Sequence, residues 1–245
     1  MTGFPETRGS LVAAMTSGDG GERARALETL AGAYWRPVYT YVRLSAGRPH
    51  EDAADLTQEF FAQLVEKDWL ARFDPSKARL RTYLRLLVDG LVANAAKARG
   101  RLKRGGTRQH LSLDFEAVRR ELDERRAADT LSPEDLFERE WVRSVFSMAV
   151  ERLRAACANG GRALRFSLFA AYDLEADAAV LRPRYEDLAR RFGTTAVDVT
   201  NQLAAARREF RIIVLDVLRE LTVSDAEFRL EARALLGIEP PREST

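Results

Sequence analysis

Cysteine occurs once in the 245 residues, at Cys157, and histidine twice, at His50 and His110. A single thiol excludes an intramolecular disulfide, and these three side chains are too few for a structural zinc site; the redox reading is a reducing cytosol. No run of 18 or more apolar residues occurs. Met1 to Gly21 has no basic stretch followed by an apolar core, so neither a membrane span nor a secretion signal is expected, and the expected location is the cytoplasm. Charge of one sign is also missing: 39 Lys+Arg against 37 Asp+Glu leave a net +2. That excludes a histone-like polycation or an acidic tail and leaves local charge distribution to carry the information. Lysine is confined to Lys67, Lys77, Lys97 and Lys103, and the arginine bias that remains is one GC-rich coding produces without selection for binding. Signatures of catalysis are absent too. There is no G-x-x-x-x-G-K-[ST], H-E-x-x-H or G-x-S-x-G, Cys157 reads as a buried structural thiol, and acid pairs such as Glu186-Asp187 sit on charged helices. No enzymatic activity, cofactor or metal is expected.

What is present is helical periodicity, with no convincing strand alternation or hairpin turn, so the fold class is all-α. Leu27, Leu30, Ala31, Tyr34, Val38, Tyr41 and Val42 repeat at three and four, with Pro37 expected to kink or break that helix. Further helices are predicted over about 51–67, 80–88 and 91–103, the last stopped by Gly105-Gly106. Residues 105–131 have few large apolar side chains and read as a linker, partly helical or disordered. Ser132-Pro133-Glu134-Asp135 starts a new helix with an N-cap, a first-turn proline and acids on the dipole, and Asn159-Gly160-Gly161 ends it. More helices follow at about 162–175, 185–192, 195–220 and 224–236. The expected organisation is a helical domain over 1–104, a linker over 105–131 and a second domain over 132–245.

On the 51–67 helix, Ala53, Leu56, Phe60 and Leu64 form one stripe and Asp52, Asp55, Glu59 and Glu66 another. The second is either a solvated acidic face or a docking surface for a basic partner. Residues 97–108 carry Lys97, Arg99, Arg101, Lys103, Arg104 and Arg108 with no acid among them, enough to neutralise several phosphates or simply to end a helix in solvent. Phe73 and Tyr83 offer ring faces for unstacked bases, or core packing. Tyr185 to Arg211 has helix-turn-helix spacing: Leu188, Ala189 and Phe192 pack one helix, Gly193 turns, and Val199, Leu203, Ala206 and Phe210 pack the next. Thr195, Asp198, Thr200, Asn201, Gln202, Arg207 and Arg208 are then candidates to meet DNA, together with Ala205.

The string DLTQEFFAQL (Asp55 to Leu64) resembles the core-binding helix of bacterial sigma factors of the extracytoplasmic-function (ECF) group. Trp35-Arg36-Pro37-Val38-Tyr39 before it, Phe73 to Gly106 after it, LSLDF at Leu111, the Trp141 helix and the helix-turn-helix are similar to the same family in the same order. The resemblance covers roughly residues 25–235. It implies an N-terminal region-two-like domain, a linker and a C-terminal region-four-like helix-turn-helix domain with an extra helix. It also implies core RNA polymerase (β′ clamp and β subunits) and promoter DNA as partners, with an anti-sigma factor or other regulator holding the protein inactive. Asp52, Asp55, Leu56, Gln58, Glu59 and Phe60 would bind polymerase. Tyr83, Lys97, Arg99, Arg101, Lys103 and Arg104 would bind and open the minus-ten element, and the second helix of the helix-turn-helix would lie over the minus-thirty-five element. Asp89-Gly90 and Asn94 depart from the commonest family pattern, and Thr200, Gln202, Ala204 and Ala205 stand where basic residues are frequent. Two other readings remain: a stand-alone helix-turn-helix regulator, and a polymerase-binding regulator that reads no promoter. Thr57 lies where some members are gated by phosphorylation, although Asp52, Asp55 and Glu59 already supply negative charge. The tail from Thr222, with Phe228, Leu230, Leu235 and Leu236, either caps the C-terminal domain or binds a regulator. A fragment from Ser132 to Thr245 is expected to hold promoter DNA only weakly without the first domain and polymerase.

Overall fold

The computed structural model describes residues 11–17, 19–98, 113–125, 131–175 and 182–238, with the side chains at 97, 98 and 123–125 left out. Among these residues there are helices and no strand, and they divide into two compact units, one within Met1–Ser144 and Leu218–Thr245, the other Val145–Val217.

The first unit begins with α1 (Leu11–Thr16), α2 (Gly20–Leu44) and α3 (His50–Glu66). A short 3₁₀ turn at Trp69–Arg72 leads to α4 (Leu80–Ala98) and α5 (Phe115–Arg125). Asp19 caps α2, accepting from the N–H groups of Gly21 and Glu22 at 2.7 and 3.1 Å. Leu30, Ala33, Tyr34, Val38 and Val42 of α2 are buried against the stripe Ala53, Leu56, Phe60, Leu64 of α3 and against Leu80, Leu84 and Val88 of α4. Two expectations are corrected here. α2 runs unbroken through Pro37. Losing one helical hydrogen bond costs about 3 kcal/mol, which the burial of several large side chains, at about 1.5–3 kcal/mol each, outweighs. α4 is likewise one helix through Gly90 where two were expected, because Val88 and Leu91 on either side are both buried.

The 105–131 segment contains α5, whose Val118 and Leu122 are buried and whose Phe115 meets Trp35 and Tyr39 at ring distances of 5.6 and 5.2 Å. His50 joins the same contact, with Nδ1 2.7 Å from the Tyr39 hydroxyl and Nε2 2.9 Å from Glu116. A helix starting at Pro133 and ending at Asn159, α6, is capped by Ser132, whose Oγ accepts from the Asp135 N–H at 3.1 Å. Its first part belongs to this unit. Glu140, buried there, accepts from Arg36 at 2.7 Å and from Arg143 at 3.1 Å, while Glu121 of α5 pairs with both arginines.

α10 (Asp225–Leu236) also belongs to the first unit, whereas one of the two readings of the tail has it capping the second domain. The expected division at 104 and 132 therefore differs from the compact units. The physical reason is burial far along the chain: Phe228, Glu227, Glu231 and Ala232 are all enclosed. Glu227 accepts the Leu80 N–H at the start of α4 at 2.9 Å and the Val223 N–H at 3.1 Å. Glu231 pairs with Arg81 at 2.9 Å and Arg79 at 3.3 Å. Arg81 also meets Glu138 at 3.0 Å and lies 4.9 Å from the Trp141 ring. The Ser132–Thr245 fragment would thus strand two buried carboxylates.

The second unit holds the rest of α6, α7 (Ala163–Phe169) with a π turn at Ala170–Leu174, α8 (Tyr185–Phe192) and most of α9 (Ala196–Leu221). Its core is Leu168, Ala171, Leu188, Ala189, Val199 and Leu203, continued by Leu153, Cys157, Phe169 and Ala206. Cys157 is enclosed, and burial pushes its thiol up.

Candidate polymerase and promoter interface

α3 starts without a side-chain cap, but Glu51 and Asp52 stand in its first turn, where the helix dipole favours acids. With Ala53, Leu56, Phe60 and Leu64 turned inward, helical period leaves Asp55 exposed and Asp52, Gln58 and Glu59 half-buried at the rim of the opposite face. Glu59 accepts from Gln63 at 2.8 Å, and Gln63 accepts from Lys67 at 2.8 Å. Leu56 and Phe60, expected to touch a partner, are core side chains. The candidate surface is therefore the polar rim alone. The Thr57 hydroxyl is buried and donates to the Ala53 carbonyl at 2.7 Å, which puts it out of a modifying enzyme's reach in this conformation.

On α4, Tyr83 is half-buried, its ring 5.2 Å from Phe73, and its hydroxyl donates to the Trp69 carbonyl at 2.7 Å. Asp89, one of the departures noted in the sequence, serves the fold by accepting from the Tyr41 hydroxyl at 2.6 Å and from Arg85 at 3.1 Å. Burial and this carboxylate push the Tyr41 hydroxyl up to about 12. The Lys97 side chain and Arg99, Arg101, Lys103, Arg104 and Arg108 lie outside the described residues. Residues 30–102 match the family model Sigma-70 region 2. The match is a likeness to sigma-70 region 2 over this segment of the chain. No curated protein and no solved structure matches the chain at a significant level. The region 2 segment runs from mid-α2 through α3 and α4, so the acidic rim of α3 and the ring pair Phe73–Tyr83 both lie inside it. No helix among the described residues is long and apolar enough to cross a membrane.

In the second unit, Gly193 closes α8 with φ +67°, a left-handed conformation that glycine adopts without a Cβ penalty, and the Thr194 N–H returns to the Ala189 carbonyl at 2.9 Å. Thr195 then caps α9, accepting the Asp198 N–H at 3.1 Å. Of the candidates on α9, Asp198 accepts from the Thr194 hydroxyl at 2.7 Å and from Gln202 at 3.3 Å, and Gln202 accepts from Arg165 at 3.0 Å. Arg207 is held by Asp173 through two hydrogen bonds of 3.0 Å and lies 5.2 Å from the Tyr172 ring. The Asp173 carboxylate keeps the Arg207 guanidinium even more firmly charged than usual. These three are engaged inside the unit. Ala205 is half-buried, while Thr195, Thr200, Asn201 and Arg208 are exposed. Sequence reasoning missed Val197, which is 71% exposed. The available signal was that it falls outside the Val199, Leu203, Ala206, Phe210 stripe.

Proposed function

We propose that the chain is a sigma factor of ECF type that binds core RNA polymerase, directs it to a promoter set and assists strand opening. The observation that carries this is the region 2 match over 30–102, inside which α3 turns its apolar stripe into the core and leaves Asp55 at the surface. Such a protein positions and separates DNA by differential binding, and the chemistry stays with the polymerase. In this reading the acidic rim meets basic polymerase residues, Tyr83 and the basic run from Lys97 to Arg104 serve the minus-ten element, and α8 with α9 forms the helix-turn-helix over duplex DNA upstream. Promoter-specific run-off transcription with purified core polymerase tests it: transcripts that depend on the added chain are expected.

A second reading, a polymerase-binding regulator without promoter reading, draws on the internal engagement of Arg207 and Gln202, which removes one cation and one amide from α9's outward face. It predicts co-elution with polymerase and no run-off product. The stand-alone regulator predicts specific DNA binding by the full chain with no polymerase present.

Replacing Arg99, Arg101, Lys103 and Arg104 together by Ala should lower the slope of log affinity against log salt by about 0.9 for each phosphate no longer neutralised. Holoenzyme binding to one promoter across a salt series measures it, and an unchanged slope would reduce the run to solvated charge.

A further inference from the structure

Over residues 196–211 the exposed positions are Val197, Thr200, Asn201, Ala204, Arg208 and Arg211. They fall at helical spacing on one face of α9, and none is acidic. Thr200 donates its hydroxyl hydrogen to the Ala196 carbonyl at 2.9 Å, so outward it offers a methyl group and lone pairs. Asn201 has both a donor and an acceptor, Ala204 is small, and Val197 is a branched apolar side chain left 71% exposed. Nothing at the leading end of the face suits guanine, which is usually read by a bidentate Arg or Lys. Arg208 is eleven residues from Val197, about 16 Å along the axis, beyond the bases that the helix start would reach.

What this face does suit is an A·T pair, whose major-groove edge carries the thymine C5 methyl and the adenine N6/N7 set. In a helix-turn-helix the residues near the start of the second helix are the ones that reach base edges, and Val197 stands second in α9. We propose that Val197 is a specificity-determining residue that packs on the C5 methyl of a thymine in duplex DNA, with Asn201 one turn on, about 6 Å away, pairing with an adenine one or two steps along. Arg208 and Arg211 then lie toward the phosphates, which supplies the charge complementarity. This inference rests on the reading of α8 and α9 as a duplex-binding helix-turn-helix.

The test uses the full chain with core RNA polymerase. Preferred duplexes are selected from a randomised upstream library, and each thymine of the selected element is then replaced singly by uracil, which lacks only the methyl group. At one thymine, uracil should weaken wild-type binding about fourfold, the worth of one buried methyl. Val197→Ala should bind the thymine duplex about fourfold more weakly than wild type, with uracil at that position costing it nothing more. Val197→Thr, which keeps one methyl, should lie between. Because Val197 is exposed, unchanged thermal melting of the variants is expected, and it separates the effect from misfolding. The inference is overturned if no thymine shows the effect, or if uracil costs wild type and Val197→Ala the same. Failure of the underlying reading looks different: a hydroxyl-radical footprint with no upstream duplex protection, and a selection with no upstream consensus. If the chain does not hold core polymerase, the same uracil comparison is read on the full chain alone, and the sigma-factor reading falls by itself.

Discussion

Asp55→Arg combined with Glu59→Arg should abolish assembly with core RNA polymerase while helix content stays intact. Both side chains lie on the polar side of α3, Asp55 exposed and Glu59 half-buried at the rim, and the buried stripe of the same helix is untouched by the change. Two reversals replace attraction to a basic surface by like-charge contact, which costs several kcal/mol; about 3 kcal/mol already means a hundredfold weaker complex. Asp55→Arg alone should act mainly on the association rate and on its salt dependence. Size-exclusion co-elution with core polymerase and far-ultraviolet circular dichroism measure the two halves of the prediction. Undiminished co-elution of the double variant would remove α3 from the docking surface.

A second large effect is expected far from any partner. Glu231→Ala should lower the unfolding free energy of the full chain by about 3 kcal/mol, because it leaves the buried Arg81 guanidinium with the exposed Glu138 as its remaining carboxylate partner. That is a large part of the roughly 5–15 kcal/mol typical of a domain. Replacing both members, Arg81→Met with Glu231→Leu, should cost less than the sum of the single changes, since the charges left behind, Arg79 and Glu138, reach solvent. Urea unfolding followed by circular dichroism decides it, and additive losses would show that the two side chains are not coupled. The pH dependence has a definite sign. Burial holds the Glu231 carboxyl above its ordinary value of 4.5 even though Arg81 and Arg79 oppose the shift. The folded chain therefore binds this proton more readily than the unfolded chain, and this group's contribution to stability declines as pH rises upward from 4.5. The difference in stability between wild type and Glu231→Gln should follow that decline.

Local patterns made the helices legible. Ala53, Leu56, Phe60 and Leu64 announce α3 because a helix repeats every 3.6 residues wherever it is placed, and Ser132 and Gly193 mark helix ends through hydrogen bonds and backbone angles that a few neighbours set. The resemblance at Asp55 to Leu64 was legible for the same reason, being carried by a contiguous string, and it falls within the matched region 2 segment. Where two local signals competed, the string could not arbitrate. Pro37 and Gly90 both read as breaks, and both helices continue because the side chains around them are buried by other helices. Val197 and Val199 are the same residue type two positions apart, yet one is exposed and the other enclosed, as helical period requires once the core side is known.

Charge was the least legible property, because a carboxylate in solvent and one in a buried pair are the same letter. Asp198, Gln202 and Arg207 read as groove-facing residues until Thr194, Arg165 and Asp173 are found beside them. Glu227 and Glu231 carry no such signal in the sequence of the tail helix. Their partners, the Leu80 N–H and Arg81, lie 147 and 150 residues away along the chain, a separation that no periodicity spans, and only the burial of Phe228 and Ala232 in the first unit brings them together. Periodicity thus sets where a helix lies and which side is apolar, while the partner of a charge is decided by packing between segments distant in the chain.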